Sequence, residues 1–150
     1  MVRHVLIPLD GSQLAENALP VARYVIQPDT LITLLTATPT HTDDNHDPDH
    51  DQHYVERIAR NLQLQGYKVE TRLIPGDPAE VILHAAEELH VDMIVMSTHG
   101  RSGLSRLLFG SVTLTVLETS VVPVLLVPNR AREEVEDTET APNIGPSLAT

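Results

Sequence analysis

The chain has no cysteine, no tryptophan, one phenylalanine and a single lysine, Lys68, in 150 residues. Without cysteine it can build neither a disulfide framework nor a thiolate metal site, a composition at home in a reducing compartment. Aromatics amount to only 3% of residues while 41% are hydrophobic, so the core must be made of Val, Ile and Leu. That composition suits a parallel sheet covered by helices. The lone lysine excludes a Walker A loop, which needs Gly-Lys-Ser/Thr, and no GxGxxG follows the first apolar run. No apolar run reaches the length of a membrane span, and MVRHVLIPLD starts a strand rather than a secretory h-region. A cytoplasmic protein of one domain is expected, with no membrane partner.

Positive charge is also scarce, and the formal net charge is -11. Nucleic acid is excluded as a partner, because neutralising phosphates takes a basic surface. The excess acid is localised. Asp43, Asp44, Asp47, Asp49 and Asp51 form one cluster, and Glu133, Glu134, Glu136, Asp137 and Glu139 form another beside Arg130 and Arg132. Setting these aside leaves 11 acidic against 8 basic residues, so the body of the domain is close to neutral and compatible with a small anionic ligand.

The most informative stretch runs from Val91 to Val127. Met93 to Met96 has the β-branched, apolar character of a buried parallel strand, and Ser111 stands where a helix wants its N-cap. Between them lie Gly100, Gly103 and Gly110, with Arg101 and Arg106 inside the loop. Glycines let a backbone approach a ligand closely, so that free N–H groups and the positive end of the following helix converge on an anion. Glycines alone would equally shape a plain βα connection. The long spacing, the terminal Ser111 and the flanking strands favour a phosphate cradle.

The rest of the chain alternates strand and helix. Val2 to Leu9 reads as a strand ending in Pro8-Leu9-Asp10-Gly11-Ser12, with Ser12 capping a helix whose Leu14, Ala15, Ala18, Leu19, Ala22 and Ile26 share a face and whose Pro20 should kink it. Thr30 to Ala37 is a second, internal strand. Pro39 to His53 has no apolar residue and reads as a surface loop. Its His41, His46, His50 and His53 stand among five aspartates, a ligand set suited to zinc, nickel or copper, although no recognised metal motif is present and a solvated loop is the alternative. Tyr54, Val55, Ile58, Ala59 and Leu62 form the apolar face of a helix that Gly66 ends. Lys68 to Ile74 alternates like an edge strand, and Asp77-Pro78-Ala79-Glu80 marks a helix start followed by the apolar positions Val81, Ile82, Ala85, Ala86 and Leu89. His84 and His90 read as surface residues. Residues 129–150 carry few large apolar side chains and are expected to form a disordered acidic tail beyond a domain of residues 1–128.

The series Ser97, two residues, Gly100, nine residues, Gly110, Ser111 resembles the nucleotide signature of the universal stress protein family, whose ATP-binding members place a glycine where Ser97 stands. The opening Pro8 to Ser12 is similar to the family's first strand and turn. The resemblance implies an α/β fold: an open five-stranded parallel sheet in the order 3-2-1-4-5 with helices on both faces, Rossmann-like and of the adenine nucleotide alpha hydrolase type. It places Pro8 near an adenine, Asp10 on the ribose, and the backbone of Ala37 at the adenine edge. For Asp10 the plain alternative is an ordinary turn acid. The N–H groups from Gly100 to Ser111 and the Ser111 hydroxyl would hold phosphates, with Ser97 donating and Arg101 or Arg106 adding charge. Leu9, Met96, Gly103, Val112 and Thr113 complete the implied site. His99 is either a phosphate neighbour or a solvent-facing loop residue.

The implied ligand is ATP, ADP or AMP, with magnesium between the phosphates. Pairing of the final strand, Pro123 to Val127, with a second copy would make a homodimer. A nucleotide-dependent stress-response or regulatory module is favoured, because no assigned base, no catalytic lysine and no arginine finger beyond the loop's own arginines is apparent. A slow ATPase and a metal-handling protein built on the His/Asp stretch are the alternatives.

Overall fold

Strand β1, His4–Pro8, lies in the middle of the sheet because it is apolar on both sides. Val5, Leu6 and Ile7 in succession are completely buried, which a strand achieves only when helices cover both of its faces. In the computed structural model, which describes residues 1–41, 47–98 and 110–128 except the side chains of residues 13 and 14, four further strands flank it. These are β2 at Leu31–Thr38, β3 at Lys68–Pro75, β4 at Met93–Thr98 and β5 at Val124–Pro128. Every pairing is parallel and the order is β3-β2-β1-β4-β5, as the resemblance implies. Strand β3, none of whose residues is fully buried, occupies one edge and β5 the other.

Helices fill the crossovers. Helix α3 spans Pro48–Leu64 and α4 spans Pro78–Glu88, each begun by an aspartate whose carboxylate accepts from a first-turn amide: Asp47 from Asp49 and Asp77 from Glu80. Both place proline at the first helical position, where no N–H is needed. Both end in the same way. Gly66 follows α3 at φ +94°, its N–H donating to the Gln63 carbonyl while that of Tyr67 donates to Leu62. After α4, His90 takes the equivalent left-handed place at φ +50°, with Val91 N–H donating to the Ala86 carbonyl.

Three expectations are corrected. The stretch from Pro39 to His53 is not all loop, because α3 already begins at Pro48; capping by Asp47 and the prolyl start outweigh its polar composition. The first helix is not continuous. It divides into α1, Gln13–Glu16, and α2, Ala18–Ala22, because Pro20 has no N–H for the Glu16 carbonyl and its ring crowds that turn. Finally, the N-cap of α5, Ser111–Thr119, is Gly110 and not Ser111, so no side chain satisfies the first amides of that helix.

The core has two parts, one on each face. Leu6, Leu35, Ile94 and Met96 pack against α4 and α5, while Val5, Ile7, Ile32, Leu34 and Val95 face α1, α2 and α3. The tail from residue 129 and the greater part of the glycine loop lie outside the described residues.

Candidate functional site

With β1 and β4 adjacent and the chain departing from them in opposite directions, their carboxyl ends border a crevice, the position where open α/β sheets bind ligands. A cleft of ≈ 300 Å³ opens there. All ten described residues of the expected site line it. Pro8, Leu9 and Asp10 come from the end of β1, Ala37 from β2, and Met96 and Ser97 from β4. Gly110, Ser111, Val112 and Thr113 come from the start of α5. The remaining expected residues, His99, Gly100, Arg101 and Gly103, together with Arg106, lie outside the described residues.

Local chemistry fixes each wall. Leu9 N–H donates to the Leu35 carbonyl at 2.8 Å, which extends the β1–β2 ladder to the lip of the cleft. The chain then turns through Gly11 at φ +85°, a conformation that a Cβ would strain. Within that turn the Asp10 carboxylate accepts from the Ser12 N–H at 2.9 Å and the Ser12 hydroxyl at 2.5 Å through one oxygen, Oδ1. The other oxygen makes no hydrogen bond among the described residues. Ser12 in turn accepts from Ala15 N–H at 3.2 Å, capping α1 as expected. The Ser97 hydroxyl lies 3.5 Å from the Ala15 carbonyl, a long contact that joins the end of β4 to α1.

Across the cleft, α5 offers backbone donors that no group bonds among the described residues. Its first intrahelical bond runs from Leu114 N–H to Gly110 carbonyl at 3.0 Å, so the amides of Ser111, Val112 and Thr113 precede the ladder. With glycine as N-cap, no side chain competes for them. Three amides at the positive end of a helix, beside an exposed serine hydroxyl, form a site for an anion. The walls between this end and Asp10 are apolar: Leu9, Ile82, Met96 and Val112, with Ala37 leaving space for a flat ring. The arrangement can hold a planar apolar group, a hydroxylated middle and an anionic end.

Ser12, Ala15, Pro78 and Ile82 also line the cleft and were not among the expected site residues. Pro78 and Ile82 belong to α4. The Asp77-Pro78 helix start was readable, and a helix entering after a strand's carboxyl end necessarily begins at the ligand-binding edge of the sheet.

Behind the turn, the Tyr54 hydroxyl is buried without a hydrogen bond among the described residues, as is that of Thr36 on β2. Burial first, and then the neighbouring carboxylate of Glu16 and the charge of Asp10, push the Tyr54 hydroxyl above its usual range. The carboxylate is close enough to act on its charge state, while the geometry falls short of a hydrogen bond. Of the proposed metal ligands, His41 precedes α3 and is exposed, and His50 and His53 are exposed on its first two turns, with His50 Nδ1 3.8 Å from Asp51. His46 lies outside the described residues. Among the described residues no group of three His, Asp or Glu is placed to hold a metal ion.

Comparison with known proteins adds to this geometry. Residues 1–128 match the model of the Universal stress protein family. The universal stress protein MJ0577 of Methanocaldococcus jannaschii is 40% identical over 76 residues, 51% of this chain and 47% of that protein. A solved structure of MJ0577 superposes over 87% of this chain and 98% of its own at 30% identity, with a TM-score of 0.76. Two more distant structures share the fold: a universal stress protein in complex with cAMP and an Arabidopsis thaliana family protein with AMP bound. The first is 22% identical, covering 85% of this chain and 97% of that one with a TM-score of 0.69. The second is 19% identical, covering 90% and 97% with a TM-score of 0.65.

Proposed function

The chain belongs to the universal stress protein family, and from that premise we propose that its cleft binds an adenine nucleotide, ATP in the first place, and that the protein acts as a nucleotide-dependent stress-response or regulatory module. One observation carries this reading. Segments far apart in sequence, Pro8 to Asp10, Ala37, Met96 to Ser97 and Gly110 to Thr113, line a single cleft at the β1/β4 switch point. The cAMP and AMP held by two proteins of the same fold contain an adenine nucleoside and a phosphate. Those parts match an apolar slot, a carboxylate and a helix N-terminus in that order. In this reading Asp10 Oδ2 accepts from a ribose hydroxyl, and the amides of Ser111, Val112 and Thr113 take phosphate oxygens.

Magnesium belongs to the same proposal. The oxygen donors at the cleft, Asp10, Ser12, Ser97 and Ser111, are hard ligands that suit a small divalent cation. When bound, it would neutralise phosphate charge. The backbone amides and hydroxyls of the cleft suit the holding of a nucleotide, and binding rather than turnover is the proposed role. The dimer proposed through β5 is supported by the position of that strand at the sheet edge and by the exposed Val121 just before it. A cytoplasmic setting is proposed with it; among the described residues no helix is long and apolar enough to cross a membrane.

Replacing Ala37 by Phe tests the site, because it fills the ring slot while leaving Asp10 and the α5 amides in place. The expected outcome is a loss of ATP affinity of at least about tenfold, roughly 1.4 kcal/mol, with an unchanged circular dichroism spectrum. Equal affinity in a folded Ala37→Phe protein would remove the adenine from this cleft.

A further inference from the structure

We propose a second small-molecule site, on the face of the sheet that carries α2 and α3, which takes a neutral monocyclic aromatic bearing one hydrogen-bonding group. A cavity of ≈ 200 Å³ lies between these helices and the sheet, and it shares no lining residue with the nucleotide cleft. Its origin can be read in the sequence. Pro20 divides the first helix, and the residues that α2 turns to the core are Ala18 and Ala22, too small to fill the space above the fully buried Ile7 and the nearly buried Ile32. The space opens to solvent on one side and is closed by the sheet on the other.

The chemistry of the lining chooses the occupant. The floor and sides are aliphatic, formed by Ile7, Ile32, Ile58, Leu62, Leu19 and Ile26. The cavity's size is that of a single ring, since an apolar cavity of about 150 Å³ accepts benzene. The polar side chains of the lining are Glu16, Arg23, Asn61, Gln65 and Tyr67, of which Arg23, Asn61 and Gln65 are exposed and mark the mouth. Glu16 and Arg23 carry opposite charges there and so favour neither an anion nor a cation. Asn61 and Gln65 beside them are neutral amides that both donate and accept. A ring inside with one hydroxyl or amide at the mouth satisfies both zones.

The test uses the whole chain and p-cresol, a phenol that stays neutral at pH 7 because its hydroxyl, like that of Tyr, ionises only near pH 10. Calorimetric titration, with and without saturating ATP, should give saturable binding of one p-cresol per chain, with a Kd on the order of 1 mM or tighter. Leu62→Phe fills the cavity from α3 and should weaken that binding by at least about tenfold while leaving ATP affinity unchanged. Ala22→Leu fills it from α2 and gives the same readout should Leu62→Phe fail to fold. Asn61→Ala should lower affinity severalfold without closing the cavity. Absence of saturable binding, equal affinity in both filled variants, or displacement of p-cresol by ATP would each overturn the proposal. Absence of p-cresol binding leaves the nucleotide reading untouched, because the two sites share no lining residue.

Discussion

On one face of the sheet α4 presses Val81, Ile82, Ala85 and Ala86 onto Leu6, Leu35 and Ile94, and these residues are at most 7% exposed. On the other, the buried residues of α2 are only Ala18 and Ala22, from a helix that proline has divided, and a cavity of ≈ 200 Å³ remains beneath them. The same sheet is thus covered tightly on one side and loosely on the other. The tight side supplies rigid walls for the proposed nucleotide slot, since Ile82, Met96 and Val112 all belong to it. The loose side has room for volume to be added.

Adding volume is the sharpest way to separate the two faces. Ala85 and Ala22 are each 1% exposed, yet Ala85 sits in the filled layer and Ala22 borders the cavity. Ala85→Leu should destabilise by about 1–3 kcal/mol through overpacking, whereas Ala22→Leu should be neutral or stabilising. Chemical denaturation of the two variants reads the difference directly. Equal destabilisation would mean that the α2 side is as well filled as the α4 side.

The helix ends refine the comparison. Helix α3, on the loose face, is followed by Gly66 in the left-handed conformation, but α4, on the tight face, is followed by His90 there. A Cβ in that conformation is sterically disfavoured, so His90→Gly should raise stability by roughly 0.5–1 kcal/mol, seen as a higher denaturation midpoint. A lower midpoint would show that the imidazole makes a contact worth more than the strain.

The smallest expected effect lies at the base of β1 and β4, where both faces meet. The exposed Asp92 carboxylate accepts from Arg3 N–H at 2.7 Å and His4 N–H at 2.9 Å, and these two bonds hold its pKa below the ordinary carboxylate value. A depressed folded pKa stabilises the protein above the unfolded value and ceases to do so as pH falls through the folded one. Wild type should therefore melt slightly above Asp92→Asn near neutrality, and the two Tm curves should converge below about pH 4. Parallel curves down to the acid limit would remove the carboxylate's role.

How far the sequence carried these results depends on which signals agreed. The apolar runs marked the buried strands, while the strand order and the grouping of Asp10, Ala37 and Ser111 came from the resemblance carried by the glycine spacing and the Pro8 to Ser12 turn. Asp77-Pro78 announced α4, because an apolar periodicity followed at once. Asp47-Pro48 carries the same capping chemistry, but it is embedded among aspartates and histidines, so composition hid the first turns of α3. The split between α1 and α2 was hidden differently: Pro20 announced a kink, but not that the helix would separate at Asn17 and leave a cavity. Gly110 rather than Ser111 capping α5 was illegible for a simpler reason. Serine is the better capping residue, and only the backbone shows that the helix begins one residue earlier, with Ser111 already inside it and no side-chain cap from Gly110.

The central claim is that this cleft is an adenine-nucleotide site, and the most direct test is the nucleotide content of the freshly purified protein. Denaturation and chromatography, followed by titration of emptied protein with ATP and magnesium, should recover or load about one adenine nucleotide per chain, as a single cleft requires. A protein that is isolated empty and stays empty at roughly millimolar ATP, equivalent to a binding free energy weaker than about -4 kcal/mol, would contradict it.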